Sequence, residues 1–243
     1  MVEWLAGNRI RGTNAERTTT TGFNPVTTQA SGWKLLGRKT LESTGDTITV
    51  SDLADKRYYM VLGDKQSSGS ADFNWRVGNG SADPNNNYAR RQSSNGGTTT
   101  VNAGYDRMFA DNGGSTTPSF QVAYFANKSD KQKLNITHSV SQGTAGLNAP
   151  PRRESVNKWT DTSNPIDVIQ GVNVEGGDFA SGSEVVVLGW DPADIHTDNF
   201  WEELDDASWS SGGTISSNTF TAKKYLWVQG WYTTDNTNGN VRM

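Results

Sequence analysis

Four acidic residues near the C-terminus form the densest group of side chains of catalytic type. They are Glu202, Glu203, Asp205 and Asp206. Glycoside hydrolysis needs two carboxylates about 5 to 10 Å apart, one as acid and one as nucleophile or base. Adjacent residues of an extended segment point to opposite faces, and acids in a linker are usually solvated. We therefore expect no catalysis from this group, and the sequence predicts a protein that is not an enzyme.

Three aspartates in the segment before this group have the oxygen ligands that Ca²⁺ accepts. They are Asp191, Asp194 and Asp198. Their spacing matches no calcium loop, and Pro192 among aspartates is equally typical of a polar turn. They are weak metal candidates, and we expect neither a metal nor another cofactor.

The other side chains that commonly do chemistry are scarce. The chain has no cysteine and two histidines, His138 and His196. A Ser-His-Asp site would need one of them, yet neither accompanies a Gly-x-Ser-x-Gly elbow. Zinc would have too few ligands. His138 lies in an alternating segment, and we expect it to be a structural or surface residue.

Aromatic side chains are the group best suited to binding, with nine Trp and seven Tyr in 243 residues. Exposed rings can stack on sugars, and the candidates for such a glycan platform are Tyr58, Tyr59, Trp231 and Tyr232. Alternation places Tyr225, Trp227 and Trp231 on one face of a strand. Aromatic residues are also enriched in cores and subunit interfaces, which is the interpretation we favour.

Composition excludes several classes of function. The net charge is −4 and the basic residues are scattered, so the electrostatic footprint of a nucleic-acid binder is missing. No apolar run approaches the roughly 20 residues that span a bilayer. The first residues lack the pattern of a signal peptide, and we expect synthesis in a cytosol. Nucleic acid and membrane are therefore not expected partners.

The elements that must position these residues are short strands. Apolar alternation or buried-strand runs occur at 47–50, 58–62, 73–77, 119–125, 133–140, 156–159, 166–174 and 183–190. Polar turns occupy 78–87 and 93–98, the second with hairpin chemistry. About eight to ten strands at roughly ten-residue spacing predict an all-β, antiparallel, jelly-roll-like β-sandwich over residues 32–190.

The C-terminal part repeats the start of this module. Residues 201–243 match 33–77 in order, and the offset is 167 both from Ile48 to Ile215 and from Tyr58 to Tyr225. After a linker at 191–199, residues 200–243 are thus a partial second module, with strands expected at 214–220 and 223–232. So short a fragment cannot enclose its own core. It docks on the first module, is completed by a neighbouring subunit, or belongs to a natural chain that continues beyond Met243.

Residues 1–31 have no periodicity that could bury a face and are expected to form an extended arm. The arm is either a disordered terminus or a segment ordered by docking on another subunit. Apolar residues within it favour docking. The expected assembly and interface residues are Trp4, Leu5, Ile10, Tyr225, Trp227 and Trp231.

Three Asn- and Gly-rich segments resemble a pattern found in virion structural proteins of tailed viruses, especially marine ones. They run from Asn74 to Gly80, from Asn85 to Arg91 and from Asn95 to Gly97. The segments 178–189 and 4–12 are similar to the closing strand and the start of such proteins. One departure is the longer turn Gly80-Ser81-Ala82-Asp83-Pro84, which puts any ligand role of that turn in doubt.

The resemblance implies a β-sandwich module of a capsid surface, tail or fibre. Its expected partners are copies of itself and other virion proteins, and its expected location is the virion. The mechanism would be self-assembly or docking on the particle. The alternative function is a carbohydrate-binding module that attaches to a host-surface glycan through the aromatic residues named above.

Overall fold

The computed structural model describes residues 33–111, 116–191, 204–205, 207, 214, 216–226 and 228, and the backbone alone of 4–5 and 8–9. Every regular element in this part of the chain is a β-strand, in agreement with the alternation. The strands are β1 (Trp4–Leu5), β2 (Asn8–Arg9), β3 (Lys34–Thr40), β4 (Thr47–Val50), β5 (Tyr58–Lys65), β6 (Asn74–Asn79), β7 (Ser81–Ala82), β8 (Tyr88–Ser94), β9 (Thr100–Tyr105), β10 (Met108–Phe109), β11 (Ser119–Ala126), β12 (Lys133–Ser141), β13 (Arg152–Trp159), β14 (Val168–Val172) and β15 (Glu184–Trp190).

Two antiparallel sheets pack face to face. The larger has eight strands in the order β3-β15-β5-β11-β12-β13-β8-β9. The smaller has the order β10-β6-β14-β4, with β7 added to β6, and β1 pairs with β2 separately. Inward side chains of both sheets form a single hydrophobic core. The predicted all-β antiparallel β-sandwich is therefore confirmed.

The apolar core is built around the aromatic residues of β6 and its flanks. Phe73 and Trp75 are fully buried, with ring centroids 4.7 Å apart in an edge-on arrangement. Phe73 also lies 5.1 Å from the ring of Phe179. A Cβ atom on Gly171 of β14 would come within 2.5 Å of the Phe73 ring, so only glycine allows this packing.

Under β11, β12 and β13 the interior is largely polar. Beside the apolar Ala123, Phe125 and Trp159, the buried inward residues there are polar: Ser119, Gln121, Lys133, Asn135, Thr137, Ser139, Ser141, Ser155 and Asn157. Asn157 Nδ2 donates a hydrogen bond to Asn135 Oδ1 at 2.7 Å. Asn157 Oδ1 accepts one from Phe109 N at 3.3 Å, and Ser155 Oγ donates to Phe109 O at 2.6 Å. Polar side chains of β13 thus hold β10 of the opposite sheet.

A buried ion pair lies in the same layer. Lys65 Nζ is 2.7 Å from Asp111 Oδ2, and both side chains are at most 1% exposed. Lys65 Nζ also donates to Ala71 O at 2.8 Å, and Ser119 Oγ donates to Asp111 Oδ2 at 2.9 Å. Hydrogen bonds of this kind offset part of the cost of removing two charges from water.

The hairpin turn predicted at 93–98 joins β8 to β9. Asn95 and Gly96 both have positive φ, 52° and 73°, as a two-residue turn of this hand requires. The strands on either side were not predicted. β8 carries Arg90, Arg91 and Gln92, and β9 is largely exposed, so neither shows an apolar run.

The chain divides into two compact units, Met1–Glu202 and Glu203–Met243. In the second unit, Asp205 accepts hydrogen bonds from Asn218 N and Nδ2, each at 2.9 Å. The described residues 216–226 form no strand, whereas the repeat predicted strands at 214–220 and 223–232. This stretch is mostly exposed, and an isolated pair of short strands is only marginally stable in water.

Candidate assembly surface

Strand β12 has an inverted pattern of burial. Its inward positions are polar and buried, whereas Leu134, Ile136 and Val140 point outward and are exposed. In an antiparallel sheet with one solvated face, the apolar residues normally point inward. At β12 the outer face of the eight-stranded sheet is therefore apolar, although a face in contact with water normally carries polar residues.

The neighbouring strands continue this surface in register. Ile136 lies opposite Tyr124 of β11 on one side and Val156 of β13 on the other. Tyr124, Ile136 and Val156 are 46%, 51% and 48% exposed, respectively. The same row continues to Arg91 of β8 and Val101 of β9. We call the outward residues of β11, β12, β13, β8 and β9 the open face.

The outer side of β5 and β15 is not available for binding. Alternation places Met60 and Leu62 of β5 and Val186 and Leu188 of β15 on this side of the sheet, outside the core cluster. All four are nevertheless buried. The continuous accessible apolar surface therefore begins at β11, and Leu35 of β3 is exposed separately beyond β15.

Charged groups of the open face lie mainly on β13 and β8. Arg152 forms an ion pair with Glu154, and Lys158 Nζ donates to Gln132 Oε1 at 3.1 Å. His138 lies opposite Glu154 and is exposed, as expected for a surface residue. A shallow depression of about 160 Å³ is lined by these strands, with Ile136 and Val156 among its residues. The face is thus apolar toward β11 and cationic toward β13 and β8.

Most of the interface residues expected from the sequence lie outside the described side chains. Trp4 and Leu5 form β1, of which only the backbone is described. Ile10, Trp227 and Trp231 fall outside the described residues. Tyr225 is described and is partly buried, with Lys224 Nζ 5.6 Å from its ring centroid. The shared interface of these six residues therefore stays a prediction.

Two of the candidate glycan residues can be placed, and they differ. Tyr59 is fully buried and its hydroxyl donates to Ile166 O at 2.8 Å, so it cannot offer a ring to a ligand. Burial raises the pKa of Tyr59 above its ordinary value. Tyr58 is partly exposed but stacks on Trp190 at 5.4 Å. Trp231 and Tyr232 lie outside the described residues.

In the described part of the chain, the acidic candidates form no arrangement suited to catalysis or metal binding. Asp191 accepts a hydrogen bond from Arg57 N at 3.2 Å. Asp194, Asp198 and His196 lie outside the described residues, as do Glu202, Glu203 and Asp206. No group of three or more potential metal ligands occurs among the residues that the structure describes.

The turn that departs from the virion pattern lines a polar pocket of about 260 Å³. Asp83 organises it, because its carboxylate accepts hydrogen bonds from Trp159 Nε1 at 2.9 Å and from Asn87 Nδ2 at 2.8 Å. Burial alone would raise the pKa of Asp83, but hydrogen bonds from Asn87, Trp159 and Asn85 outweigh it and lower the pKa. The Asp83 carboxylate therefore serves to stabilise the turn through these hydrogen bonds.

The open face was not identified from the sequence. A signal exists nonetheless: β11, β12 and β13 each carry polar residues at alternate positions, and the register aligns these positions on one face.

Among the described residues, none forms a helix with the length and apolar character that bilayer crossing requires. Comparison with protein-family models, curated proteins and solved structures finds no match for this chain.

Proposed function

We propose that this chain is a non-enzymatic virion structural protein that assembles by docking the open face of its larger sheet. The observation that carries the proposal is the inverted pattern of β12, in which Ile136 is half exposed while Asn135 and Thr137 are buried. Such a strand leaves apolar surface in water unless another protein covers it. Contiguous exposed apolar patches commonly mark interaction sites.

Covering the apolar residues of the open face contributes a modest binding free energy per copy. Full burial of a Val, Leu or Ile side chain contributes about 1.5–3 kcal/mol, so the exposed half contributes roughly 1 kcal/mol. Leu134, Ile136, Val140 and Val156 together then supply a few kcal/mol. Tyr124 adds an aromatic ring of the type enriched at interfaces. Many copies in one particle would multiply this modest contribution.

The virion setting comes from the resemblance of the Asn- and Gly-rich segments. Two of them lie beside the open face: Asn85–Arg91 leads into β8, and Asn95–Gly97 forms the β8–β9 turn. They therefore shape the edge of the sheet that we propose for docking. The partners would be copies of this chain and other virion proteins.

Carbohydrate binding is the second candidate and has weaker support. Tyr59 is buried, and Tyr58 has one face of its ring covered by Trp190. The stacked pair of Tyr58 and Trp190 is the feature that favours this alternative. It would act as a small aromatic platform for a sugar ring.

The proposal is tested with two charge variants of the full chain. Ile136→Lys with Val156→Lys adds two charges to the open face. Thr47→Lys with Thr49→Lys adds the same charges to exposed positions on β4, on the outer side of the smaller sheet. Light scattering and electron microscopy should show that the first pair prevents assembly and the second does not. The natural protein should also co-sediment with virus particles. Equal assembly of both variants would refute the proposal.

A further inference from the structure

The two edges of the larger sheet differ in their protection against pairing. An exposed edge strand presents unpaired backbone N–H and C=O groups, and proteins commonly guard such edges with charges, with proline or with very short strands. At one edge, β3 carries Lys34, Arg38 and Lys39. At the other edge, β9 lies in the segment 92–105, which contains neither a charged residue nor a proline. The β9 edge is therefore unprotected.

The side chains of β9 suit pairing with a further strand. Thr100 and Val101 are β-branched, a property that favours strands, and two further threonines precede them. Val101 is 59% exposed on the open face. The irregular part of the strand is confined to its C-terminal end, where the register with β8 passes from Ala103 to Tyr105. Residues 100–103 thus form a regular edge, which the preceding threonines can extend.

The absence of charge on β9 favours a second copy of this chain as the partner. When a strand pairs antiparallel with its own copy, a charged residue at the centre lies opposite its equivalent, which is destabilising. The cations of β3 disfavour such self-pairing, whereas β9 has none. The nearest exposed charge is Arg91, which lies opposite Val101 on β8. In the paired state Arg91 would be about 14 Å from its equivalent, beyond the Debye length of about 8 Å at physiological salt.

Building on the proposed function, we infer that two copies of this chain pair antiparallel through β9, centred on Val101. Val101 then lies opposite its equivalent, and Thr99 lies opposite Ala103 of the second copy. The centre falls on Val101 because two β-branched side chains then pair. The adjacent Asn102 instead accepts a hydrogen bond from Arg90 Nε within the chain, at 3.0 Å.

This pairing joins the open faces of the two copies. The two-fold axis of an antiparallel edge pair is perpendicular to the sheet, so both open faces lie on the same side. The row of outward residues that contains Ile136 reaches Val101 through Val156 and Arg91. With Val101 at the centre, this row continues directly into the same row of the second copy.

The joined surface has the extent that a stable interface requires. The five strands of one open face lie about 4.8 Å apart, and the longer ones rise about 3.4 Å per residue over roughly eight residues. One face therefore projects about 650 Å², and two joined faces project about 1,300 Å². A stable interface buries about 800 Å² on each partner. The paired faces exceed this area, whereas the projection of a single face falls short of it.

Single cysteines test the pairing because the chain has none of its own. Opposite residues of an antiparallel pair have Cα atoms about 4.5–5.5 Å apart, a distance that a disulfide spans. Val101→Cys should therefore form a disulfide-linked dimer under mild oxidation. Ala103→Cys, exposed on the same face of the same strand, is the matched control, because its equivalents would lie about 14 Å apart. We expect at least about tenfold more dimer from Val101→Cys.

Charge variants at the same position test the pairing without oxidation. Val101→Lys and Val101→Glu each place like charges opposite one another and should lose the dimer in analytical ultracentrifugation. An equal mixture of the two should recover it, because opposite charges then face each other. Val101→Thr, which is uncharged and β-branched, is the control and should dimerise like the natural chain. All of these variants replace an exposed side chain, and their melting temperatures check that they fold.

The results separate this inference from the proposed function. If Val101→Cys gives no more dimer than Ala103→Cys, or the mixture of Lys and Glu variants stays monomeric while Val101→Thr dimerises, the pairing through β9 is wrong. Ile136→Lys with Val156→Lys should prevent assembly and still allow the β9 dimer, because both positions lie away from the β9 edge. If that lysine pair leaves assembly unchanged, the proposed function fails, whatever Val101→Cys shows.

Discussion

Asn135 and Asn157 lie opposite one another on β12 and β13, buried and joined by a 2.7 Å hydrogen bond. The next pair along the same two strands, Ile136 and Val156, points the other way and is about half exposed. Polar residues are thus paired inside the sandwich and apolar ones outside it. The same alternation of polar and apolar residues along β12 and β13 therefore produces both the polar interior and the apolar open face.

Replacement of Asn157 should destabilise the sandwich. Asn157→Ala removes the hydrogen bonds to Asn135 Oδ1 and to the backbone of Phe109 and leaves these groups unpaired. A buried polar group without a partner costs about 1–3 kcal/mol. Denaturant unfolding should show a loss of that size, whereas Asn148→Ala, in an exposed loop, should have little effect. Equal stability of the two variants would refute the structural role of Asn157.

Gln121 should be replaceable with a gain in stability. It is fully buried on β11, and among the described residues neither of its amide atoms has a hydrogen-bond partner. Gln121→Met keeps the shape of the side chain and removes two polar groups. We expect the free energy of unfolding to rise by about 1–3 kcal/mol, measured by thermal melting. A fall would mean that the amide is satisfied by ordered water.

The Lys65–Asp111 pair should show strong coupling. Lys65→Met removes the ammonium group that lies 2.7 Å from the buried Asp111 carboxylate, and breaking a buried ion pair typically costs about 3–5 kcal/mol. Replacing both residues, as Lys65→Met with Asp111→Leu, should recover much of that loss. A double-mutant cycle measures the coupling. Additive losses would contradict an energetically coupled pair.

Asp83 should make stability depend on pH in the acid range. Its pKa is lowered, so its ionised form stabilises the fold above the ordinary value of about 3.9. That contribution is lost as the pH falls through the lowered value. Asp83→Asn should therefore be less stable at pH 7, and its difference from the natural chain should shrink below about pH 4. Glu42→Gln, at an exposed position, is the control for the substitution itself and should have the stability of the natural chain at pH 7.

The sequence predicts the strands better than the faces. Alternation at 119–125 and 133–140 identifies β11 and β12 within one or two residues. Alternation divides a strand into two faces without indicating which one is buried. In β12, Lys133 begins one face and Leu134 begins the other. The buried face of β12 is set by tertiary contacts, including the bond between Asn135 and Asn157. The position of the open face follows from these contacts and so could not be predicted from the sequence.

The aromatic character of a residue does not by itself show that its ring is exposed. Tyr59 belongs to an apolar run, and its hydroxyl finds buried partners in Ile166 O and Asn127 Nδ2. A ring with such partners is stable inside a core. The exposed surface is instead made mostly of aliphatic residues on strands with polar neighbours, which do not stand out in a composition of 33% apolar residues.

The central claim is that the open face is covered when the protein assembles. Thiol labelling tests it most directly, with Ile136→Cys as the reporter and Thr49→Cys as the control in a chain without other cysteines. In dilute protein both variants should react readily, because both positions are exposed. In the assembled state we predict that labelling slows several-fold at Ile136→Cys and stays unchanged at Thr49→Cys. Unchanged labelling at Ile136→Cys in assembled protein would contradict the account.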